Sequence, residues 1–401
     1  MPEGELMALV TDNGVAMDID TQGDFEQVAA RSTNMVTEQL AVASVEIKDA
    51  KLKVVGVGGG GSNAVSRMYR ERLEQVDYIT VNTDQQALVR SDVPTRLRIG
   101  DTIAAGLGVG GDPDKGQACA DESRDELRDV LAGADMVFIA CGMGGGTGTG
   151  AAPIVAEVAH ELGALTVGVV TKPFNFEGKR RKHVADEGIT RLRDQVDSFI
   201  IIPNDRLMIA LDQAVTMESA FRMADNVLRR SVQSIAELIT VAGEINVDFA
   251  DVKAIMSNAG PTWMSIGYGT GEDRAIIAAE DAINSNLLDV SISGARGVIF
   301  NITSGGDATI SEVQTASEVI QRVVDPEANI IFGMATDPKM ENEIKLTVVA
   351  TGFTSAEETA RAQEEMADQL GSMTNDEMDV PPFLRHHPQA RRALQNPVHT
   401  N

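Results

Sequence analysis

The run Gly144-Gly145-Gly146-Thr147-Gly148-Thr149-Gly150 constrains the fold more than any other stretch of the chain. Apolar Met136-Val137-Phe138-Ile139-Ala140 precedes it, and Ala151-Ala152-Pro153-Ile154-Val155-Ala156-Glu157-Val158-Ala159 follows. The pattern predicts a strand, a glycine loop and a helix with an early proline. Glycines let backbone approach a ligand closely and take φ > 0. A helix N-terminus adds free N–H donors and the positive end of a dipole, and the hydroxyls of Thr147 and Thr149 add further donors. The natural ligand of such a loop is a phosphate chain. A flexible surface turn is the alternative, but a strand feeds this loop and a helix leaves it.

Two more glycine loops share this arrangement. Lys53-Val54-Val55-Gly56-Val57 reads as a buried strand running into Gly58-Gly59-Gly60-Gly61-Ser62-Asn63, with a helix from Ala64 to about Leu73. Gly56, Gly58 and Gly61 satisfy G-x-G-x-x-G. A strand over 77–81 ends in Asn82-Thr83-Asp84, an acid about 20 residues on, as in a dinucleotide-binding unit. The third loop, Gly106-Leu107-Gly108-Val109-Gly110-Gly111-Asp112-Pro113, opens a helix running to about Ala132. In an alternating α/β sheet such loops gather at the carboxyl edge of the strands. Three N–H-rich loops around one crevice suit a triphosphate better than a pyrophosphate. None carries the lysine and hydroxyl pair of G-x-x-x-x-G-K-[ST], so the site is not a P-loop.

Composition narrows the partners. The 401 residues suffice for two packed domains, and 43% hydrophobic with 23% charged residues is ordinary for a soluble globular chain. Sixty acids against 34 bases leave a formal net charge of −26, which argues against non-specific binding to nucleic acid or an anionic membrane. A nucleotide's charge must then be offset locally, by loop N–H groups, a few bases and Mg²⁺. Cys119 and Cys141 have no metal-ligand spacing and fit a reducing cytosol. No signal peptide and no membrane-spanning apolar run is found.

The rest of the chain continues the alternation. Residues 1–50 carry ten acids and two bases and read as a disordered acidic arm, with a short strand or helix possible near 35–47. Strands are expected at 164–171 and 198–203. Lys179-Arg180-Arg181-Lys182 opens a helix and opposes its dipole, so either a nucleotide, a neighbouring acid or plain solvation holds these bases. A long helix over 218–242 shows helical apolar spacing. On it Phe221 and Asp225 lie four apart: the ring could stack on a base while the carboxylate accepts from a guanine ring N–H and amino group. The plain alternative is a core Phe and a surface Asp. Asn246-Val247-Asp248-Phe249-Ala250-Asp251 follows, with Asp248 as an N-cap and Asp251 as a first-turn acid. A helix of about 25 residues spans roughly 35 Å, so these acids stand far from their own chain's nucleotide. Beyond lie a helix near 274–285, strands near 296–303, 329–336 and 344–350, and a helix near 311–323. Trp263 falls in a loop rich in Gly, Ser and Pro and is taken as structural. Residues 355–379 hold eight acids and one base, and no acid occurs from Val380 to Asn401.

With these residues on the page, the chain resembles the tubulin/FtsZ family of GTPases, FtsZ being its bacterial cell-division branch. Residues 144–150 match the family signature; 56–63, 82–84, 171–181 and 204–207 match its other nucleotide loops, and 246–251 its catalytic synergy loop. The similarity runs from about Leu52 to Phe353. It implies a Rossmann-like α/β GTPase domain (51–217), a central helix (218–242) and a second α+β domain (243–353). These are flanked by the acidic arm (1–50), an acidic linker (354–379) and an adaptor-binding peptide and tail (380–401). It implies that Gly59, Gly60, Gly61, Ser62, Asn63, Gly146, Thr147 and Gly148 contact GTP or GDP. Glu177 and Arg181 fall near ribose and phosphates, and Asp225 on the guanine-reading position. Subunits of the family stack head to tail, and the synergy-loop residues Asn246, Asp248 and Asp251 complete the next subunit's site, with Mg²⁺ on the phosphates and no protein metal ligand assigned. The expected protein is a cytoplasmic, filament-forming GTPase of the mid-cell division ring. It would bind itself and, from Asp379 to Arg385, a membrane-tethering adaptor, with no nucleic-acid partner and no direct membrane insertion. A non-hydrolysing scaffold and a NAD-binding oxidoreductase are the rivals. Asp112 stands where Asn is common, bringing a charge of uncertain role near the phosphates. Cys141 stands where a small alanine is usual and should be tolerated. The arm is longer than usual, and residues run on past Arg385.

Overall fold

Strands covered on both faces are apolar throughout rather than alternating, and the central segments of this chain are of that kind. The computed structural model describes residues 50–353, apart from 72–74, 210–215, 242 and 286–291, together with two short strands, Leu9–Val10 (β1) and Ala16–Met17 (β2), which pair antiparallel. The element expected near 35–47, the acidic linker and the C-terminal peptide lie outside the described residues.

From Ala50 onward strands and helices alternate: Leu52–Val57 (β3), Gly58–Arg70 (α1), Val76–Asn82 (β4), Gln85–Arg90 (α2), Thr95–Arg98 (β5), Pro113–Glu122 (α3), Arg124–Leu131 (α4), Met136–Gly142 (β6), Thr147–Glu161 (α5), Leu165–Lys172 (β7), Lys179–Arg193 (α6), Ser198–Pro203 (β8) and Asn204–Ile209 (α7). The long helix Met217–Thr240 (α8) leads to Phe249–Met256 (α9), Gly260–Thr270 (β9), Arg274–Ile283 (α10), Gly297–Ser304 (β10), Ile310–Gln321 (α11), Asn329–Thr336 (β11) and Glu343–Thr351 (β12). One ten-stranded sheet has the order β11-β10-β12-β9-β8-β7-β6-β3-β4-β5.

From β5 to β8 every pairing is parallel, and the order reverses between β3 and β6. This doubly wound half packs one core against each face. Val55, Ile79, Ile139, Val155 and Leu127 belong to one core. The other holds Val54, Phe138, Val167 and Ile200 and continues through Leu228, Val232 and Ile235 of α8 to Phe300 and Leu346. The apolar stripe of α8 therefore belongs to both halves of the molecule. The sheet itself joins them through two residue pairs only, Ser198 with Gly260 and Phe199 with Pro261. Buried Asp197 staples this joint: its carboxylate accepts from Thr166 N (2.8 Å), Thr166 Oγ1 (2.8 Å) and Asn258 N (3.2 Å).

The structure corrects three sequence expectations. The helix expected from Ala64 begins at Gly58, because the glycine run forms its first turn. Helix propensity disfavours glycine by about 1 kcal/mol per residue, but a Cβ at Gly61 would overlap the Ala140 carbonyl, so tertiary contact demands the run. The helix expected over 113–132 breaks at Ser123, whose hydroxyl accepts from Gly100 N at 3.2 Å. Trp263 lies not in a loop but in β9, buried to 1%. The glycines that disguised this strand let α10 approach it: Cβ atoms at Gly267 and Gly269 would overlap the Ala278 and Arg274 carbonyls.

Candidate functional site

A doubly wound sheet binds ligands in the crevice where its strand order reverses, and here β3 and β6 deliver two glycine loops to that point. The loops touch backbone to backbone. A Cβ on Gly58, which has φ 71°, would sit 2.6 Å from Gly148 N. A Cβ on Gly116 of α3 would overlap the Gly146 carbonyl. The loop before α3 is pinned by Gln85 N to Gly106 O (3.1 Å) and Gly108 N to Thr83 O (3.3 Å). On the other flank Met143 N donates to Thr171 O at 3.0 Å, and Gly144 lies against the Arg181 backbone. The three glycine loops, the end of β7 and the start of α6 thus enclose one crevice.

Its lining is built for an anion. A Cβ on Gly59, Gly110, Gly111 or Gly145 would meet nothing within 4 Å. Among the described residues no side chain caps α1 or α5, and neither helix has an acid in its first turn. Free N–H groups at both N-termini therefore face the crevice uncompensated. Ser62 Oγ is buried without a hydrogen-bond partner among the described residues, and such groups call for a ligand or water. Gly59, Gly60 and Asn63 are exposed, Thr147 is half-buried, and Gly61, Gly146 and Gly148 are buried. The two threonines divide their work. Thr147 Oγ1 lies 2.6 Å from Thr83 Oγ1 at the crevice. Thr149 is fully buried and accepts from Gly144 N at 2.9 Å, so it closes the loop instead of serving as a donor to a ligand. Thr83 lies in the 82–84 stretch that resembles a nucleotide loop, and its contact with Thr147 comes from strands brought side by side.

At the far end of the crevice Glu177, 8% exposed, accepts from Phe174 N (2.9 Å) and pairs with Arg181 (2.9 Å). The Phe174 ring stacks on Phe176 at 5.0 Å and meets Phe221 edge-on at 5.5 Å. Phe221 is 39% exposed and the Asp225 side chain only 15%. The plain reading of a core Phe and a surface Asp is therefore reversed. Burial pushes the Asp225 carboxyl up to about 6, against the pull of Arg67, whose Nη1 lies 3.3 Å away. A ring with an open face and a desolvated acceptor four residues on are what a purine base requires.

Asn246, Asp248 and Asp251 lie beyond the other end of α8. Fifteen residues separate Asp225 from Thr240, about 22 Å of helix axis. Asp248 caps α9, accepting from Asp251 N at 2.8 Å, and Asn246 Oδ1 accepts from Gly243 N at 2.6 Å. Ile245 exchanges two backbone hydrogen bonds with Met334 of β11, which holds this loop rigidly. The loop is thus shaped by the C-terminal half of the molecule, remote from the crevice of its own chain.

Residues 51–212 match the Tubulin/FtsZ family, GTPase domain, and residues 260–354 match the FtsZ family, C-terminal domain. The chain belongs to the tubulin/FtsZ family. Among solved structures it is similar to an FtsZ from M. jannaschii described as an empty dimer, at 41% identity and TM-score 0.73, covering 79% of this chain and 92% of that one. CetZ1 from Haloferax volcanii, solved as a GDP-bound monomer, shares the fold at 19% identity and TM-score 0.68, covering 80% of this chain and 99% of that one. CetZ2 from the same organism, solved as a GTPγS-bound protofilament, does so at 19% and 0.64, covering 80% and 98%.

A tubulin/FtsZ GTPase domain implies GTP/GDP binding, and the donors of this crevice fit a polyphosphate. No cluster of three or more His, Cys, Asp or Glu able to hold a metal occurs among the described residues. Asp112 caps α3, accepting from Asp114 N (3.1 Å) and Lys115 N (3.3 Å). Its charge thus serves the helix, as the Asn common in the family would. Asp84 likewise caps α2, accepting from Gln86 N (2.8 Å) and Ala87 N (3.3 Å). Cys141 is wholly buried at the end of β6, and burial pushes its thiol up to about 12; Cys119 is also buried, against Gly100. No helix among the described residues is long and apolar enough to cross a membrane.

Proposed function

We propose that this protein hydrolyses GTP while polymerising head to tail, and that the filament builds the cell-division ring. The single observation that best supports this is the division of the apparatus: an anion crevice at one end of α8, and at the other end two acids that their own crevice cannot use. In a filament, Asp248 and Asp251 of one subunit meet the phosphates bound by the next. A heterologous contact of that kind that does not close generates an open filament.

The chain's own groups supply the chemistry by position and charge. The open N-termini of α1 and α5 hold the phosphate oxygens. Asp225 accepts from the guanine N1–H and 2-amino group, and Phe221 packs on the base. Glu177 and Arg181 flank ribose and phosphates. Asp251 and Asp248 of the neighbouring subunit accept hydrogen bonds from the attacking water and aim it at the γ-phosphorus, with Asn246 holding the loop that carries them. Mg²⁺, when bound, neutralises phosphate charge. The 41% identity to an FtsZ and the FtsZ-type C-terminal domain support the division role. The stretch from Asp379 to Arg385 would dock a membrane-tethering adaptor, keeping the filament in the cytoplasm at the inner face of the membrane.

Phosphate release from GTP with Mg²⁺, per subunit, across a protein concentration series tests this. The expected rate is near zero below a threshold concentration and climbs above it. A rate per subunit that stays flat would remove Asp248 and Asp251 from the neighbour's site. No release at any concentration would leave a non-hydrolysing scaffold.

A further inference from the structure

Among the described residues Asp225 has one charged partner, and that partner comes from the helix that begins the phosphate crevice. α1 packs along α8, which sets Arg67 Nη1 3.3 Å from Asp225 Oδ2. Of the other charges on the packed elements, Arg230 of α8 is exposed, and several are engaged elsewhere. On α1, Arg70 pairs with Asp92 (2.6 Å), and Glu71 just past its end pairs with Arg229 of α8 (2.8 Å). Lys172 of β7 pairs with Asp186 (2.8 Å), and Glu177 with Arg181. On α7, Asp205 accepts from Asn175 N and Arg206 has a contact of its own. β8 carries no charge. One turn back on α8, Glu218 and Arg222 stand 3.9 Å apart, both exposed.

We propose that Arg67 is a positioning residue that presents Asp225 as a two-acceptor face, and that it thereby sets discrimination for a purine bearing a 2-amino group. This rests on Asp225 reading the base. A carboxylate accepts at both oxygens and so receives N1–H and the 2-amino group together, whereas a protonated carboxyl offers a donor where one acceptor is needed. Burial drives the carboxyl toward that protonated form, up to about 6, and Arg67 opposes it. The pair therefore ties the start of the phosphate helix to the recognition of the base.

The test is the affinity ratio of GDP to IDP between pH 5 and 8, since IDP lacks only the 2-amino group and phosphate titration cancels in the ratio. In the parent the ratio is high at pH 7 to 8 and falls at lower pH as the carboxyl takes up a proton in the bound complexes, burial favouring that uptake and Arg67 opposing it. In Arg67→Gln the midpoint of that fall moves up by roughly 1 to 3 pH units, so discrimination at pH 7 is weaker than in the parent. Arg67→Lys keeps a midpoint near the parent's, which also covers the case of a glutamine variant that fails to fold. A glutamine variant with the parent's midpoint, or with both affinities lowered uniformly at every pH, overturns the proposal and makes Arg67 structural. A parent that does not distinguish GDP from IDP at any pH fails at the earlier step, the base-reading role of Asp225.

Discussion

At the scale of single residues, Asp248 and Asp251 separate structural duty from chemical duty. Asp251 makes its bond through its backbone N–H, so its carboxylate is spared by the fold, whereas the Asp248 carboxylate holds the N-cap. Asp251→Ala is therefore expected to keep GDP affinity and thermal stability while phosphate release above the threshold falls by about 100-fold or more, in the range of one lost electrostatic contact to the reacting group. A variant that retains the parent's turnover would remove this carboxylate from the chemistry. Asp248→Ala should lose turnover and also about 1 kcal/mol of stability as a lost cap, read by denaturant unfolding. Glycine, capping acid and aromatic positions of the site were legible because each has a local signature. The Arg67 pairing and the Thr83–Thr147 contact were not, since they arise from helix packing and from strands brought side by side. Thr149 misled because a loop threonine can serve its own loop as readily as a ligand.

At the scale of elements, apolar runs and helical spacing reveal β3, β6, β7, β8 and α8, because continuous burial leaves an unbroken hydrophobic signature. Short α2 and the mostly exposed edge strand β5 bury too little to show. β9 hides behind Gly267 and Gly269, whose small size answers to α10 and not to the strand. The joint between β8 and β9 is equally invisible in sequence, because Asp197, Thr166 and Asn258 are distant along the chain. Three hydrogen bonds to one buried carboxylate concentrate the polar connection there. Asp197→Ala leaves two backbone N–H groups and a hydroxyl without an acceptor, and should cost about 3 kcal/mol, measured by denaturant unfolding. A loss below about 1 kcal/mol would mean that the shared core of α8 holds the joint without it.

At the scale of the molecule, the formal charge of −26 and the anion crevice are compatible because the crevice works through backbone dipoles, not through an excess of basic side chains. Composition reads the whole surface and so cannot report a site made of N–H groups; the glycine spacing can. Both halves share α8, yet the two cysteines sit only in the crevice half, on α3 and β6, and both are buried. Thiol chemistry on this protein is thus a clock confined to one half. A thiol reagent must wait until the layer beneath the crevice opens, so its rate measures how often that layer comes apart and how strongly a nucleotide holds it shut. Movements of the other half leave no covalent trace.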